Sequence, residues 1–458
     1  MLSRQRGQAL VLSLILMAFT LMAVLFAFNT YQLNNQGTKL QHTADNTAYS
    51  LAQFASRDLN FKAYTNRASV ANQVAVAQLV GLSSWFSMAK TFTENADRVL
   101  RPVPYVNIVV AAIARAVAIV DRVMQPALEI AQIAETAVLI ALSGAQDVFH
   151  FAGFTAALES GGKITAANDP DTKLQLVQNF MLLNRLKDFW FSYQTLQYRN
   201  GDDTSSQYQD FKKVIADSRD PFTKRRSYDL IKLDLGLVKF SLSKAGGSTL
   251  VDNDGGEQPE SWTAMDTISL HTSNWSCGWH GCGWRHRERE TGWGATSSDS
   301  RADMDAISSR QYWGESRDIN TRASRKADDE QKDYRGYMGV MPFYSLSSEQ
   351  QHSNSFDNIV VVITKEQQKL HTTSSISASE ANINPATQEH LGQDRLAAMG
   401  AAKVYYSRPR DLMQNSINWA RSDNKMEYGN LYNPFWQVRL SAATDAEKTA
   451  VLTLSQLI

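Results

Sequence analysis

The most continuous hydrophobic pattern in the chain lies near its N-terminus. Residues 9–28 contain no charge, glycine or proline, and Ser13 and Thr20 are their only polar members. A helix rises about 1.5 Å per residue, so this run reaches about 30 Å, which is enough to cross the hydrocarbon core of a bilayer. Arg4 and Arg6 precede the run, and the next basic residue is Lys39. The positive-inside rule therefore predicts a single membrane-spanning helix with a cytoplasmic N-terminus.

Two other interpretations of this run fit the sequence less well. A cleaved signal peptide has a shorter apolar core of about 7–15 residues and a small-residue exit, whereas the exit here, AFNTYQLNN, is a poor cleavage site. A buried helix of a soluble protein would carry a polar face, and residues 9–28 have none. The pattern favours a retained anchor.

A helical stem is predicted directly after the span. Apolar residues recur at intervals of three, four or seven, which places them on one helix face: Leu40, Ala44, Ala48, Leu51 and Ala55. Many of them are small, so another helix could approach closely. A long amphipathic helix needs a partner, either within the chain or in an assembly, and both remain open. Homo-oligomerisation through this stem is one such use.

The rest of the pattern predicts more helix and then strands. Residues 106–154 begin with a membrane-like run at 106–120, but Arg115 interrupts it, so they are predicted to form an amphipathic helix pair broken near Pro126 rather than a second span. Residues 171–199 are predicted to form a third helix. Alternation predicts strands at residues 228–235, 237–242, 264–270 and 356–364. Residues 395–406 are expected to begin helical and end extended, and residues 443–452 to form a short helix. Residues 271–335 give no clear pattern.

The predicted fold class is therefore α+β. A cytoplasmic N-terminus (1–8) and a transmembrane helix (9–31) are followed by a helical stem and helical domain (32–200). A mixed α/β periplasmic region with one disulfide loop (201–458) completes the chain, as one domain or two.

Charge and cysteine content narrow the function. Lys plus Arg and Asp plus Glu number 46 each, so the net charge is zero and no nucleic-acid partner is indicated. The chain has two cysteines, Cys277 and Cys282, whose proximity predicts one local disulfide in an oxidising compartment. With His280 and His286 they could instead bind a metal in a hydrolase, but this spacing matches no familiar zinc module. The nearby Trp275, Trp279 and Trp284 would either cover the loop or form an exposed contact surface.

Other motifs are weak. Asp202-x-Thr204-x-Ser206 resembles a metal-dependent adhesion site but follows no strand, and Asp252-x-Asp254-Gly255 lacks the later ligands of a calcium loop. The sequence contains no G-x-S-x-G, Walker A, Rossmann glycine or H-E-x-x-H motif. We predict a protein that is not an enzyme and has no cofactor.

Two segments carry a resemblance to a known family. They are Arg6-Gly-Gln-Ala-Leu-Val11, which opens the apolar span, and Leu40-Gln-His-Thr-Ala-Asp-Asn-Thr-Ala48, which follows it. Their order and spacing over residues 4–52 resemble the TadG branch of the TadE/TadG-like proteins of the Flp (tight adherence) pilus. Leu431-Tyr-Asn-Pro-Phe-Trp-Gln-Val-Arg439 is also similar to such proteins.

The resemblance implies a single-pass protein of the bacterial inner membrane, with its bulk in the periplasm and other pilus-assembly proteins or pilins as partners. Gly7 precedes the span, but the fifth residue after it is Leu12 rather than the glutamate of processed pilins. This departure favours an uncleaved accessory component over a major pilus subunit. The alternative is a membrane-tethered periplasmic or surface adhesin that shares the pilin-like stem.

Overall fold

The computed structural model describes residues 8–100, 106–176, 180–198, 206–253, 260–278, 281–302, 314–351, 353–370, 395–408 and 427–449. They form an α+β fold, which confirms the predicted class. The chain forms two compact units. Unit one comprises Met1–Tyr64, Asp147–Thr195 and Ser345–Ile458, and unit two comprises Thr65–Gln146 and Leu196–Tyr344. Each unit combines helical and strand-rich parts of the chain, so this division differs from the predicted boundary at residue 200.

Two long helices account for the N-terminal half: α1 is Gln8–Leu100 and α2 is Val106–Asn168. The break predicted near Pro126 is wrong, because α2 passes through this residue. Pro126 is exposed, so the carbonyl that loses its helical donor can face water. The shorter helices are α3 (Phe180–Phe191), α4 (Ser206–Asp217), α5 (Pro221–Lys224), α6 (Gly314–Ile319) and α7 (Thr321–Asp329). Residues 445–449 are also helical, within the predicted short helix.

The strands follow in chain order: β1 (Thr172–Leu174), β2 (Gln194–Gln197), β3 (Tyr228–Asp234), β4 (Val238–Val251), β5 (Ser261–Gly278), β6 (Gly281–Ser297), β7 (Lys332–Asp333), β8 (Phe343–Leu346), β9 (Ser355–Glu366), β10 (Arg395–Tyr406) and β11 (Trp436–Leu440). The strand predictions at 228–235, 237–242, 264–270 and 356–364 are confirmed. Two helix predictions are wrong: residues 171–199 contain α3 between β1 and β2, and residues 395–406 are extended throughout. Strands β2 and β8 form a two-stranded sheet.

Unit one is built on an antiparallel sheet of order β1-β9-β10-β11. Its core joins this sheet to α1 through Leu33, Leu40, Ala44, Ile363, Leu370, Leu396 and Ala398. The closest approach is at Gly400 of β10, where a Cβ atom would lie 2.3 Å from the carbonyl oxygen of Ala44. The side chains of β10 are thus small where this strand packs directly against the backbone of α1.

Unit two contains a five-stranded sheet of order β3-β4-β5-β6-β7, antiparallel except for the β6–β7 pair. The unassigned region after residue 270 completes β5 and the long strand β6 that returns beside it. Strand β6 crosses α1 at Gly292 and Gly294, where added Cβ atoms would meet Phe92 and the backbone of Ser84 and Met88. The inner end of the sheet is buried among Met265, Trp293, Ala295 and the alanines of α7.

Candidate interaction surfaces

The side chains of the predicted membrane span are uncovered. Every residue from Ala9 to Phe28 is exposed. The hydroxyls of Ser13 and Thr20 donate to the carbonyls of Leu10 and Leu16, both at 2.9 Å, so the run presents almost no free polar group. Among the described residues, α1 is the one helix long and apolar enough to cross a membrane.

The predicted stem interaction face is covered within the chain. Its members are at most 1% exposed: Leu40, Ala44, Ala48, Leu51 and Ala55. Leu40 and Ala44 pack in unit one against Ile363 of β9 and Leu396 of β10. Of the two alternatives for this face, packing inside the chain is the one that the structure adopts, and the face is not open to a helix of a second molecule.

The outer end of the unit-two sheet is largely open to solvent, although Glu288 and Glu290 of β6 contact α7 on one face. We call this region, comprising β3, residues 238–242 of β4, 270–277 of β5 and 282–290 of β6, the sheet end. Every residue of β3 is exposed, whereas the inner halves of β4, β5 and β6 are buried. A sheet end of this kind is available for contact with another molecule.

On one face of the sheet end, apolar side chains form two neighbouring columns, one along β3 and one along β4. The strand register places Ile231 and Leu233 of β3 beside Leu242 and Phe240 of β4, and the amide of Leu235 donates to the carbonyl of Val238 at 2.9 Å. The three β3-side residues are 53%, 52% and 69% exposed in chain order. Apolar side chains clustered this way on a surface mark a contact site more often than scattered ones do.

A column of three arginines lies on the same face. Arg287 is opposite Thr272 and Arg289 is opposite Leu270, so the register continues across β5 from the columns of β4. Arg285, Arg287 and Arg289 are all exposed, and none of them forms an ion pair within the described parts of the chain. Neighbouring strands are about 4.8 Å apart, so the basic column lies roughly 10 Å from the column of β4. The face therefore suits a partner with apolar groups beside carboxylates or phosphates.

The tip of the sheet end is closed by the predicted disulfide. Cys277 and Cys282 are opposite one another across β5 and β6, at disulfide distance and with Cα atoms 3.9 Å apart. The rings of Trp275 and Trp284 meet edge to face at 5.6 Å, and they are 43% and 38% exposed beside Leu237. These two tryptophans thus form part of an exposed aromatic surface rather than of a core.

The metal alternative receives no support from the residues that can be placed. His280 and Trp279 lie outside the described residues. His286 Nδ1 is 2.7 Å from the hydroxyl of Ser273, and both cysteine sulfurs are engaged with each other. Across the described residues, no three His, Cys, Asp or Glu side chains are grouped as a metal site would require.

A buried ionic cluster holds the inner half of the unit-two sheet. Asp266 of β5 is fully buried and accepts from Arg226 Nη2 at 2.8 Å, from Lys244 Nζ at 2.7 Å and from the hydroxyl of Ser84 on α1. Burial raises the pKa of Asp266, but the charges of Arg226 and Lys244 outweigh burial and hold this pKa below its usual range. Each charge is paired and enclosed, so the cluster has a structural role that links a helix to a sheet.

A second buried cluster lies in unit one. Asp58 and Lys62 of α1, His150 of α2 and Gln194 of β2 are each at most 3% exposed. One oxygen of Asp58 lies 2.9 Å from Lys62 Nζ, from His150 Nδ1 and from Gln194 Nε2. Burial lowers the pKa of Lys62 to about 8, although the Asp58 carboxylate opposes that shift. These residue types occur in active sites, but here they are sealed from solvent, so we assign them to helix packing.

The two weak loop motifs do not become ligand sites. Asp202, Thr204 and Asp254 lie outside the described residues, and Ser206 is the first residue of α4. Asp252 pairs with Lys212 at 2.9 Å. No known protein family, curated protein or solved structure matches the chain.

Proposed function

We propose that the chain is a membrane-anchored, non-enzymatic component of Flp (Tad) pilus assembly that works by protein–protein contact. Its N-terminus would lie in the cytoplasm and its bulk in the periplasm, with the bilayer and other pilus-assembly proteins or pilins as partners. The uncovered apolar run of α1 supports the anchor, and the order of residues 4–52 supports the pilus system. The cysteine pair at the tip of the sheet end suits an oxidising compartment.

The observation that carries the proposal is the sheet end. Ile231 and Leu233 of β3, and Leu235 directly after it, are each more than half exposed, and every residue of β3 is exposed. Each Å² of aliphatic surface left in water forgoes on the order of 25 cal/mol of the stabilisation that burial would give. The retention of such a surface at the edge of a sheet whose β5–β6 hairpin is closed by a disulfide is explained if another protein covers it.

The proposal can be tested by changing one face of β3 at a time. Ile231→Ser, Leu233→Ser and Leu235→Ser together remove the aliphatic face. Lys232→Ser with Lys239→Ser alters the opposite face of the same hairpin and is the matched control. Each variant is expressed in a strain that lacks the gene, and its amount in membranes is compared with that of the native chain.

The triple variant should reach native amounts in the membrane but fail to restore surface pili and adherence, whereas the control variant should restore both. Normal piliation in the strain lacking the gene, or with the triple variant, would contradict the proposal.

The arginine column favours a second candidate. A surface or periplasmic adhesin would use Arg285, Arg287 and Arg289 to bind an anionic ligand directly. Replacing these three residues by Gln would then abolish adherence while pili remain normal in number. Loss of pili with the same variant would favour the assembly function instead.

A further inference from the structure

The outward face of α2 in unit two is almost wholly apolar. Between Ile108 and Gly144, Arg115 and Arg122 are the only exposed residues that are not aliphatic, alanine, proline or glycine. Ten large aliphatic residues on this stretch are between 44% and 68% exposed: Ile108, Val109, Ile113, Ile119, Val120, Val123, Ile130, Ile133, Val138 and Ile140. The other side of α2 is used within unit two, where Leu128, Gln132 and Leu139 are buried.

The exposed area is what a stable interface requires. At ~100 Å² for each half-exposed aliphatic residue, the ten residues present on the order of 1,000 Å², which exceeds the few hundred Å² of an ordinary surface patch. One partner of a standard protein–protein interface contributes about 800 Å². The α2 face therefore offers enough apolar surface for a whole interface without help from another element.

The exposed residues follow a heptad repeat. Position a is occupied by Val109, Ala116, Val123, Ile130 and Ala137, and position d by Ala112, Ile119, Pro126, Ile133 and Ile140. All ten are exposed, and the adjacent e positions, from Ile113 to Ala141, are apolar and exposed as well. A stripe of three positions in seven is the pattern of a helix that packs against other helices. Within the described residues of unit two, no helix covers this stripe.

Membrane anchoring decides the direction in which two such helices can meet. In unit two α2 runs antiparallel to α1, since Thr65 contacts Gln146 and Ser83 contacts Gln125. Two copies anchored in one membrane carry their α1 helices in the same direction. Their α2 helices are then parallel, and an antiparallel pair would send the two anchors to opposite ends.

We propose that two copies of this chain pair through α2 in parallel and in register. Each a and d residue then meets its own counterpart, as Ile130 with Ile130 of the second copy. Arg115 and Arg122 occupy g positions and lay their methylene groups over the aliphatic e positions of the other copy, with their charges in water. The g residues of the two copies lie on opposite sides of a parallel pair, so these arginines do not repel each other. This inference uses the anchor of the proposed function and nothing else in it.

Cysteine cross-linking in native membranes tests the pairing with the full chain. The two native cysteines are paired with each other, so a single added cysteine is the reactive one. Ile130→Cys and Val109→Cys can both join two copies under mild oxidation only if the helices are parallel and in register. Lys213→Cys, at an exposed position of α4 in the same unit, is the matched control. Ile130→Glu, made in the Val109→Cys chain, should abolish the cross-link, whereas Lys213→Glu in that chain should leave it unchanged.

We expect most chains that carry Ile130→Cys or Val109→Cys, and few that carry Lys213→Cys, to run as dimers. Three results would overturn the pairing: no dimer, a cross-link to a different protein, or an added thiol at position 130 that is uncross-linked and shielded from a water-soluble maleimide by lipid. Cross-linking is read in membranes whether or not pili form. If cross-linking fails but piliation depends on the sheet end, the pairing alone is rejected. If cross-linking succeeds but piliation does not depend on the sheet end, the proposed function alone is rejected.

Discussion

Replacing Gly294 by alanine should destabilise unit two, although the same change at Gly283 of the same strand should not. An added Cβ at Gly294 would lie 2.5 Å from the carbonyl oxygen of Ser84 and 2.6 Å from the amide nitrogen of Met88, both in the backbone of α1. At Gly283 an added Cβ meets nothing within 4 Å. Overpacking of this kind costs about 1–3 kcal/mol, and helix backbone cannot rotate away as a side chain can. We expect a value near the upper end of that range.

The control has the opposite sign. Alanine restricts the unfolded chain more than glycine does, so Gly283→Ala should be neutral or should stabilise by up to about 1 kcal/mol. Unfolding of the full chain in detergent can be followed by its tryptophan fluorescence, to which Trp293, 9% exposed beside the crossing point, contributes as one of ten tryptophans. For a unit of roughly 230 residues, each kcal/mol shifts the midpoint by about 2–4 °C. If both variants melted together, the contact between β6 and α1 would not exist as described.

Three further predictions follow from the buried charges and the anchor. Asp266→Ala leaves Arg226 and Lys244 buried without a carboxylate, so it should lower the free energy of unfolding by about 3–5 kcal/mol in urea titrations. The control Asp217→Asn changes an exposed ion pair and should leave the urea midpoint unchanged. Because burial lowers the pKa of Lys62 to about 8, the unfolded chain binds more protons than the folded chain from pH about 8 to 10, so stability should rise with pH there. This rise should be missing in Lys62→Met, and equal slopes would contradict the assignment. A phosphatase that needs disulfides, fused after the C-terminus, should be active in cells, and activity confined to a cytoplasmic reporter would contradict the topology.

The parts of the fold that the sequence predicts are those in which a local pattern and its environment agree. The apolar run at residues 9–28 and the strong strand at 356–364 each have a pattern that fits only one secondary structure, so the sequence predicts both correctly. The alanine-rich residues 395–406 favour a helix by intrinsic propensity, but β9 and β11 pair with them on either side. Gly400 and its neighbouring alanines are small because α1 passes 2.3 Å from where a Cβ would lie. That reason is set by tertiary structure and is invisible in the sequence alone.

For the candidate surfaces, too, the local sequence pattern leaves the tertiary contacts undetermined. Periodicity tells that a helix has an apolar face, but it does not tell what covers that face. On α1 the small residues Ala44 and Ala48 predict close packing either within the chain or in an assembly, and they are buried inside unit one. On α2 the larger Val123 and Ile130 were assigned to an ordinary amphipathic helix, and they are 64% and 67% exposed. Small residues permit close approach, so the chain uses them where its own sheet must lie against a helix. Large aliphatic residues left in water are stabilised only when a further molecule covers them, and the surfaces available for assembly are therefore those where such residues remain exposed.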